Sequence, residues 1–135
     1  GSLDAHTVLQ YNKNYRNYLL VLTGKVKIKM APPKSKKYLY PKNDYENFEF
    51  RSLINIWDPE EKYKDNLNKI NFLEIDLEPG KIIHIPCNWW YSFKFIEKDT
   101  IVASFKYRTY MNMVAILPSI ILSFLQKQNI RHQII

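Results

Sequence analysis

The sequence lacks the features of a disulfide-rich or membrane-spanning protein. Its only cysteine, Cys87, cannot form an internal disulfide, which favours a reducing compartment such as the cytoplasm or nucleus, or a place in a virion. No signal peptide, internal repeat or low-complexity tract is visible. The most apolar stretch, residues 113–125, is shorter than the roughly 18–20 residues that cross a bilayer, and it contains Pro118. We therefore predict an intracellular protein that has no membrane contact.

Arginine is also scarce. Only four of the 20 basic residues are arginine, and the excess over 13 acidic residues gives a net charge of +7. A lysine-rich composition often reflects an A/T-rich genome, which favours a viral or protist source, and exposed lysines are commonly just solvated. The alternative is a basic face that binds nucleic acid or an acidic partner. The lysines of that face would be Lys25, Lys27 and Lys29 on one strand and Lys34, Lys36 and Lys37 in the next loop.

The residues that are abundant fit one β-rich domain. A chain of 135 residues is long enough for a single core, and its 46% hydrophobic content excludes disorder. The 15% aromatic content favours strands. Gly1-Ser2 resembles a cloning scar, so we expect the natural chain to extend further towards its N-terminus. We predict a β-sheet core over residues 3–109 and a helical extension over residues 110–135.

Local patterns predict short strands followed by a helix. The clearest strand is 25–30, where Val26, Ile28 and Met30 alternate with lysines. Residues 34–50 are predicted to be a loop, and 59–68 a surface helix with Asp58 as its cap and Pro59 in its first turn. Apolar spacing predicts a helix over 110–128, kinked or divided near Pro118. The other predicted strands are 3–11, 18–22, 71–77, 81–85, 90–96 and 100–107.

Three sequence blocks resemble the JmjC/cupin-like hydroxylases, the group that includes the asparaginyl hydroxylase acting on hypoxia-inducible factor. The densest is LEPGKIIHIPCNWWY at 77–91, which matches a pattern of Pro-Gly, a short strand, Ile-Pro and a Trp-Trp pair. The other two blocks are Gly24 with Pro32-Pro33 and Leu39-Tyr40-Pro41, and Ser52 with Ile54 and Pro59. The resemblance covers about 7–107 and implies a mainly β fold, a double-stranded β-helix (cupin or jelly-roll) core with a C-terminal α-helical segment.

The same resemblance implies where a metal site would lie. These enzymes hold Fe(II) with a His-x-Asp pair and a later His, which leaves positions open for 2-oxoglutarate and oxygen. In TVLQYN at 7–12 the first pair falls on Gln10 and Asn12, and the later His falls on Tyr91. No His-x-Asp or His-x-Glu occurs in the sequence, and His6, His84 and His132 are expected to be surface or packing residues. We therefore predict a degenerate site without metal or cofactor, in which Tyr91 fills the cavity and hydrogen-bonds Gln10 or Asn12.

The co-substrate positions are altered as well. Val26 stands where several family members have a lysine for 2-oxoglutarate, and Lys25 and Lys27 should point to the opposite face. A remnant pocket is predicted from four residues: Thr7, Asn17, Val26 and Trp90. Cys87 is predicted to be an inert thiol because no protease signature surrounds it.

Three functions remain open at this point. The leading hypothesis is an inactive pseudo-hydroxylase that binds a protein partner or self-associates, with the terminal helix as its interface. The second is an active 2-oxoglutarate-dependent protein or RNA hydroxylase with an atypical site, which would require Fe(II) and 2-oxoglutarate. The third is nucleic-acid binding through the basic face.

Overall fold

The structure is a computed structural model that describes residues 2–13, 16–45 and 49–133, with side chains described as far as residue 128. Its strands within these ranges are β1 (Gln10–Tyr11), β2 (Arg16–Thr23), β3 (Val26–Ala31), β4 (Pro41–Asp44), β5 (Glu49–Ser52), β6 (Leu73–Leu77), β7 (Ile82–Ile85), β8 (Trp90–Phe95) and β9 (Ile101–Tyr107). A 3-10 helix occupies Pro33–Tyr38, and the α-helices are α1 (Glu61–Leu67), α2 (Tyr110–Ala115) and α3 (Leu117–Gln133).

The strands form two antiparallel sheets. The larger has the order β4-β5-β1-β8-β3-β6, and the smaller has the order β7-β2-β9. Consecutive strands are therefore rarely neighbours, as expected when a chain winds between two facing sheets. The fold is mainly β, a cupin or jelly-roll core followed by a helical segment, which confirms the predicted fold class.

Strand β3 shows why the alternating pattern predicted it correctly. Val26, Ile28 and Met30 are buried in the core, while the intervening lysines face outward. Lys27 lies opposite Asp76 and Lys29 opposite Glu74 on β6. The Nζ-to-oxygen distances of these two pairs are 3.6 and 3.1 Å. Exposed pairs like these contribute at most about 1 kcal/mol each, so the burial of the apolar face dominates the stability of this strand.

The buried residues form two clusters. One lies between the sheets and joins residues of β2, β3, β6, β7 and β8, including Leu19, Ile28 and Tyr91. The other lies on the opposite face of the larger sheet, where Tyr11 and Trp90 pack against the segment that precedes β6. Adjacent residues of β8 therefore face different clusters, because Tyr91 belongs to the first cluster and Trp90 to the second.

Two sequence predictions about the strands were wrong in part. Residues 3–11 form a strand only at β1, although His6 makes an isolated bridge with Lys94. The segment 34–50 contains the 3-10 helix and β4, and β5 begins at its end. β4 lies at the edge of the larger sheet, where polar residues are favoured, so its sequence (PKND) carries no apolar signal.

The surface helix is confirmed, but its predicted start was wrong. Helix α1 begins at Glu61, after an N-cap at Glu60 that forms no side-chain capping hydrogen bond. Because Glu60 is extended (ψ 147°), Pro59 cannot lie in the first helical turn and Asp58 cannot act as the cap.

The terminal helix is divided, as its proline predicted. Ile116 separates α2 from α3, and the side chain of Thr109 caps α2 by accepting a hydrogen bond from the backbone of Asn112 at 3.1 Å. Pro118 is the second residue of α3, where a missing N–H breaks no helical hydrogen bond. In the part of the chain that the structure describes, no helix combines the length and the apolar character that a membrane span requires.

The turn between β2 and β3 requires a glycine for two separate reasons. Gly24 has φ +73°, and a Cβ added there would lie 2.1 Å from Thr100 Oγ1. Gly80 has a similar φ of +82°, but a Cβ there would meet no atom within 4 Å. The two positions thus share the conformational requirement and differ only in the steric one.

We expect Gly24→Ala to destabilise the protein more than Gly80→Ala. The alanine at position 80 should cost about 1–2 kcal/mol for its left-handed backbone. At position 24 the contact with Thr100 should add about 1–3 kcal/mol more. Urea unfolding of both variants measures the difference, and equal free energies of unfolding would contradict the packing around Gly24.

Candidate functional site

The site predicted from the sequence lies where β1 and β8 pair. Gln10 is directly opposite Tyr91 in this antiparallel register, although the two residues are far apart in sequence. Asn12 follows two residues after Gln10, and both side chains reach the hydroxyl of Tyr91. The structure therefore brings all three of the predicted ligand-replacement positions together.

The hydroxyl of Tyr91 is the centre of this cluster. Its oxygen accepts a hydrogen bond from Asn12 Nδ2 at 2.7 Å and from Gln10 Nε2 at 3.3 Å. The ring is 2% exposed and packs into the core between the sheets. A phenol thus occupies the space among the three positions, and its hydroxyl contacts both Gln10 and Asn12, where the sequence analysis expected one or the other. We call Gln10, Asn12, Tyr91 and the neighbouring Asn17 the amide–phenol cluster.

The surroundings of Tyr91 keep its phenol neutral. Burial raises the pKa of Tyr91 above its ordinary value, and the amides of Asn17, Asn12 and Gln10 offset part of that increase. Burial and the charge of Tyr45 also raise the pKa of Tyr11, to about 12. Neither tyrosine therefore supplies a phenolate at neutral pH.

We expect Tyr11 and Tyr91 to ionise at a higher pH than a free tyrosine does. Each folded-state pKa lies above the unfolded value of about 10, so this stabilisation is complete below about pH 10 and is lost as the pH rises through the folded-state values. Alkaline titration followed by ultraviolet absorbance measures the effect, and Tyr91→Phe should remove one late-titrating group. A wild-type absorbance change that is complete near pH 10, with no later step, would contradict it.

Asn17 extends the cluster to the smaller sheet. It lies on β2, is 1% exposed, and its Oδ1 accepts a hydrogen bond from Ser104 Oγ at 3.5 Å. Its buried Nδ2 has no hydrogen bond of normal geometry among the described residues. Ser104 on β9 was missed by the sequence analysis, although alternation along that strand places it on the same face as Val102.

The other three residues of the predicted remnant pocket have no hydrogen bond with the amide–phenol cluster, although Val26 shares the buried core of Tyr91. Thr7 fastens the N-terminal segment to β8, because its carbonyl accepts from Ser92 Oγ at 2.6 Å and its Oγ1 accepts from the backbone N–H of Phe93 at 3.1 Å. Val26 is buried in the core between the sheets, and Trp90 packs edge-on against Tyr11 on the opposite face of the larger sheet. Only Asn17 lies with the amide–phenol cluster.

Neither histidine with a described side chain approaches the cluster. His6 and His84 are both exposed, and the ring of His84 lies 5.1 Å from that of Tyr18 on the smaller sheet. The side chain of His132 lies outside the described residues. Among the described side chains, no three of the His, Cys, Asp and Glu type come close enough together to hold a metal ion.

Two residues beside the cluster connect it to its surroundings. Lys13 follows Asn12, and its ammonium contacts Ser119 Oγ of α3 at 2.5 Å and lies over the ring of Phe50 at 4.5 Å. Its carbonyl accepts from Asn112 Nδ2 of α2 at 3.1 Å. Lys13 therefore connects the end of β1 to both terminal helices through hydrogen bonds. No motif in the sequence indicated this role.

Cys87 is a half-buried thiol near Lys13. Burial raises the pKa of Cys87, and the charge of Lys13 and the backbone of Asn88 only partly offset that increase. Because the thiolate is the nucleophilic form, a raised pKa lowers the reactivity of this cysteine at neutral pH.

Comparisons with known proteins agree with this architecture. A sequence profile of the cupin-like domain matches residues 1–113. Human HSPB1-associated protein 1 is 28% identical over 102 residues, which are 75% of this chain and 21% of that protein. JmjC domain-containing protein D of Dictyostelium discoideum is 26% identical over 99 residues, which are 73% of this chain and 22% of that protein. The chain spans about a fifth of the length of these curated relatives.

Solved structures give a weaker similarity. The cupin domain of Drosophila melanogaster CENP-C has a TM-score of 0.45 at 12% identity and covers 81% of this chain and 56% of that one. CENP-C of the same organism bound to CAL1 gives a TM-score of 0.46 at 14% identity, with 80% of this chain and 58% of that one covered. TM-scores this low support no conclusion about partners.

Proposed function

Since this chain belongs to the family of cupin-like domains, we propose that it is a catalytically inactive member that works as a protein-binding module. One observation carries the first half of this proposal. The positions that correspond to the metal ligands of JmjC-like oxygenases hold two amides and a phenol, and all three side chains are engaged with one another.

The chemistry of these side chains does not fit ferrous iron. Fe(II) in this family is held by two neutral imidazoles and one anionic carboxylate on one side of the metal. Gln10 and Asn12 offer neutral amide oxygens, and the raised pKa of Tyr91 keeps its phenol protonated. Amide oxygens join the shells of calcium or magnesium beside carboxylates, and the amide–phenol cluster contains no carboxylate. The donor set therefore lacks both the nitrogen ligands and the negative charge.

The position for the co-substrate carboxylate supports the same proposal. Val26 stands where several relatives have a lysine, and it is 2% exposed in the core between the sheets. The adjacent Lys25 and Lys27 point away from the core and pair with Glu97 and Asp76. Their charges are therefore directed to the surface rather than towards a buried dicarboxylate.

An activity assay tests the inactive state directly. Purified protein supplied with Fe(II), ascorbate and 2-oxoglutarate should release no succinate above the level of an enzyme-free control. Release that depends on the protein would instead support the alternative of an active hydroxylase with an atypical ligand set.

The terminal helices supply the surface for the second half of the proposal. Leu117, Ile121, Phe124 and Leu125 follow the spacing of one helical stripe on α3, and all four are about half exposed or more. A contiguous apolar stripe in water is unfavourable and marks an interaction surface. One relative, HSPB1-associated protein 1, is itself named for an association with another protein. We assign the α3 stripe to contact with a second copy of the chain, which carries the same stripe and allows a symmetric interface.

We expect the wild-type chain to sediment as a dimer at micromolar concentrations and the double variant Ile121→Glu, Phe124→Glu to sediment as a monomer. Both side chains are exposed, so the substitutions should disrupt the interface and not the fold. Lys127→Glu is the control, because this exposed position lies about 100° around the helix from the centre of the stripe and the substitution changes the net charge by the same two units; it should remain dimeric. A monomeric wild-type protein, or a double variant that still dimerises, would contradict this assignment.

A further inference from the structure

Two groups of lysines in this chain differ in their partners. Among the residues that the structure describes, seven lysines lie within ion-pairing distance of a carboxylate, and they include Lys25, which precedes β3, and both lysines of β3. A second group lies around the 3-10 helix and consists of Lys34, Lys36, Lys37 and Lys69. We call these four residues the 3-10 lysine surface. All four are exposed, and among the described residues none of them has a carboxylate within ion-pairing distance.

The geometry of the 3-10 helix aims these lysines in two directions. Side chains three residues apart in a 3-10 helix lie on the same side, so Lys34 and Lys37 point together while Lys36 points with Pro33. Lys34, Lys37 and Lys69 line an open cavity of about 570 Å³. Lys36 and Pro33 line a neighbouring cavity of about 310 Å³, together with Lys13. Neither cavity has an acidic residue in its lining.

Like charges gathered without counter-charges repel one another. Lys13 illustrates this effect, because burial lowers its pKa first and the nearby charge of Lys36 lowers it further. An anion placed between these ammonium groups would relieve the repulsion and gain favourable interactions with several of them. The surface therefore has the electrostatic character of an anion-binding site, whereas the strand lysines are already neutralised.

Aromatic rings accompany the charges. The ammonium of Lys37 lies 4.7 Å from the ring centroid of Tyr38, and that of Lys69 lies 5.9 Å from the same ring. Tyr38 is part of the cavity lining. Tyr40, two residues after Tyr38, is half exposed and packs against Tyr63. Basic side chains interleaved with tyrosine rings are the combination that binds single-stranded nucleic acids, where phosphates meet the cations and bases stack on the rings.

We propose that the 3-10 lysine surface binds the backbone of single-stranded nucleic acid without sequence preference. The lysine ammonium is a compact charge that, unlike the planar guanidinium of arginine, needs no fixed orientation towards its partner. It can therefore contact the phosphates of a flexible strand. An acidic peptide is the other anionic candidate, but paired carboxylates are recognised best by arginine, and this surface contains none. This inference concerns different residues from the α3 stripe and does not depend on it.

Fluorescence anisotropy with a labelled oligothymidylate of about 15 nucleotides tests the assignment. Binding should weaken as salt rises from about 50 to about 200 mM, because each phosphate contact releases counterions. The triple variant Lys34→Gln, Lys37→Gln, Lys69→Gln should bind roughly tenfold or more weakly, and its log–log salt slope should be about 2 units shallower. The matched control Lys25→Gln, Lys27→Gln, Lys81→Gln removes the same charge from ion-paired lysines and should bind as the wild type does.

Each other outcome overturns the proposal. Equal losses in the two triple variants would mean that net charge alone drives binding. Competition by a polyglutamate peptide at the same concentration of charge as the oligonucleotide would assign the surface to acidic proteins instead. If the oligothymidylate does not bind even at low salt, the surface is not a nucleic-acid site. Circular dichroism should show that all variants retain the wild-type spectrum.

Discussion

Replacing Tyr91 with alanine is expected to lower the free energy of unfolding by about 3–5 kcal/mol, the usual cost of removing a buried aromatic ring from a core. The ring is 2% exposed and lies between the two sheets, where it contacts the core formed by β2, β3, β6 and β7. Its removal would leave a cavity lined partly by the amides of Gln10 and Asn12. Urea unfolding of the two proteins measures the difference.

The variant Tyr91→Phe separates the ring from the hydroxyl. It keeps the packing but leaves two part-buried amide groups without their acceptor, so its cost should be about 1–3 kcal/mol. Tyr107→Ala is the exposed control, because that side chain is 56% exposed and surface changes usually stay within about 0.5 kcal/mol. If Tyr91→Ala cost no more than Tyr107→Ala, Tyr91 would not fill the space among the three ligand positions.

Restoring the ligand set should create a metal site. The triple variant Gln10→His, Asn12→Asp, Tyr91→His places two imidazoles and a carboxylate at positions whose backbone is already in register. Directly opposed residues in an antiparallel pair have Cβ atoms about 4.5–5.5 Å apart, so side chains at positions 10 and 91 can reach one ion. Position 12 lies on the same face because side-chain direction alternates along a strand.

The restored triple variant should bind Co(II), an air-stable substitute for Fe(II), more tightly than the wild type does. The gain should exceed roughly 10–100-fold, which is the effect of a single outer-shell partner on metal affinity. A matched variant with Gln10→His, Asn12→Ala, Tyr91→His lacks the anionic ligand and should bind far more weakly. Visible absorption of bound Co(II) reports the geometry as well as the affinity. If the restored variant folds and binds no tighter than the wild type, the three positions do not form the site that the family resemblance implies.

Local patterns in the sequence predicted the elements whose residues alternate between water and core. The alternation of Val26, Ile28 and Met30 predicted β3, and Pro118 predicted the division of the terminal helix. Edge elements were harder to predict. β4 is polar because it borders the larger sheet, and its pairing with β5 becomes visible only in the structure. The start of α1 depended on the backbone of Glu60 and not on the capping type of Asp58.

The site could be located only through the family resemblance. Gln10 and Tyr91 meet across β1 and β8, and no local pattern links two residues so far apart in sequence. Ser104 was missed because its contact with Asn17 crosses from β9 to β2. The lysines show the same limit of sequence-based prediction, because composition does not distinguish lysines that have a carboxylate partner from lysines that have none. Cross-strand carboxylates neutralise those near β3, whereas the four around the 3-10 helix have no such partner among the described residues.

We propose that a protonated phenol and two amides stand where relatives hold a metal with imidazoles and a carboxylate. The most direct measurement is anaerobic equilibrium dialysis of the wild-type protein against Fe(II) in the presence of 2-oxoglutarate, with metal content determined afterwards. We predict that the iron retained does not exceed that of a control protein and that 2-oxoglutarate does not increase it. Retention of stoichiometric iron, increased by micromolar 2-oxoglutarate and lost in Tyr91→Phe, would contradict the account.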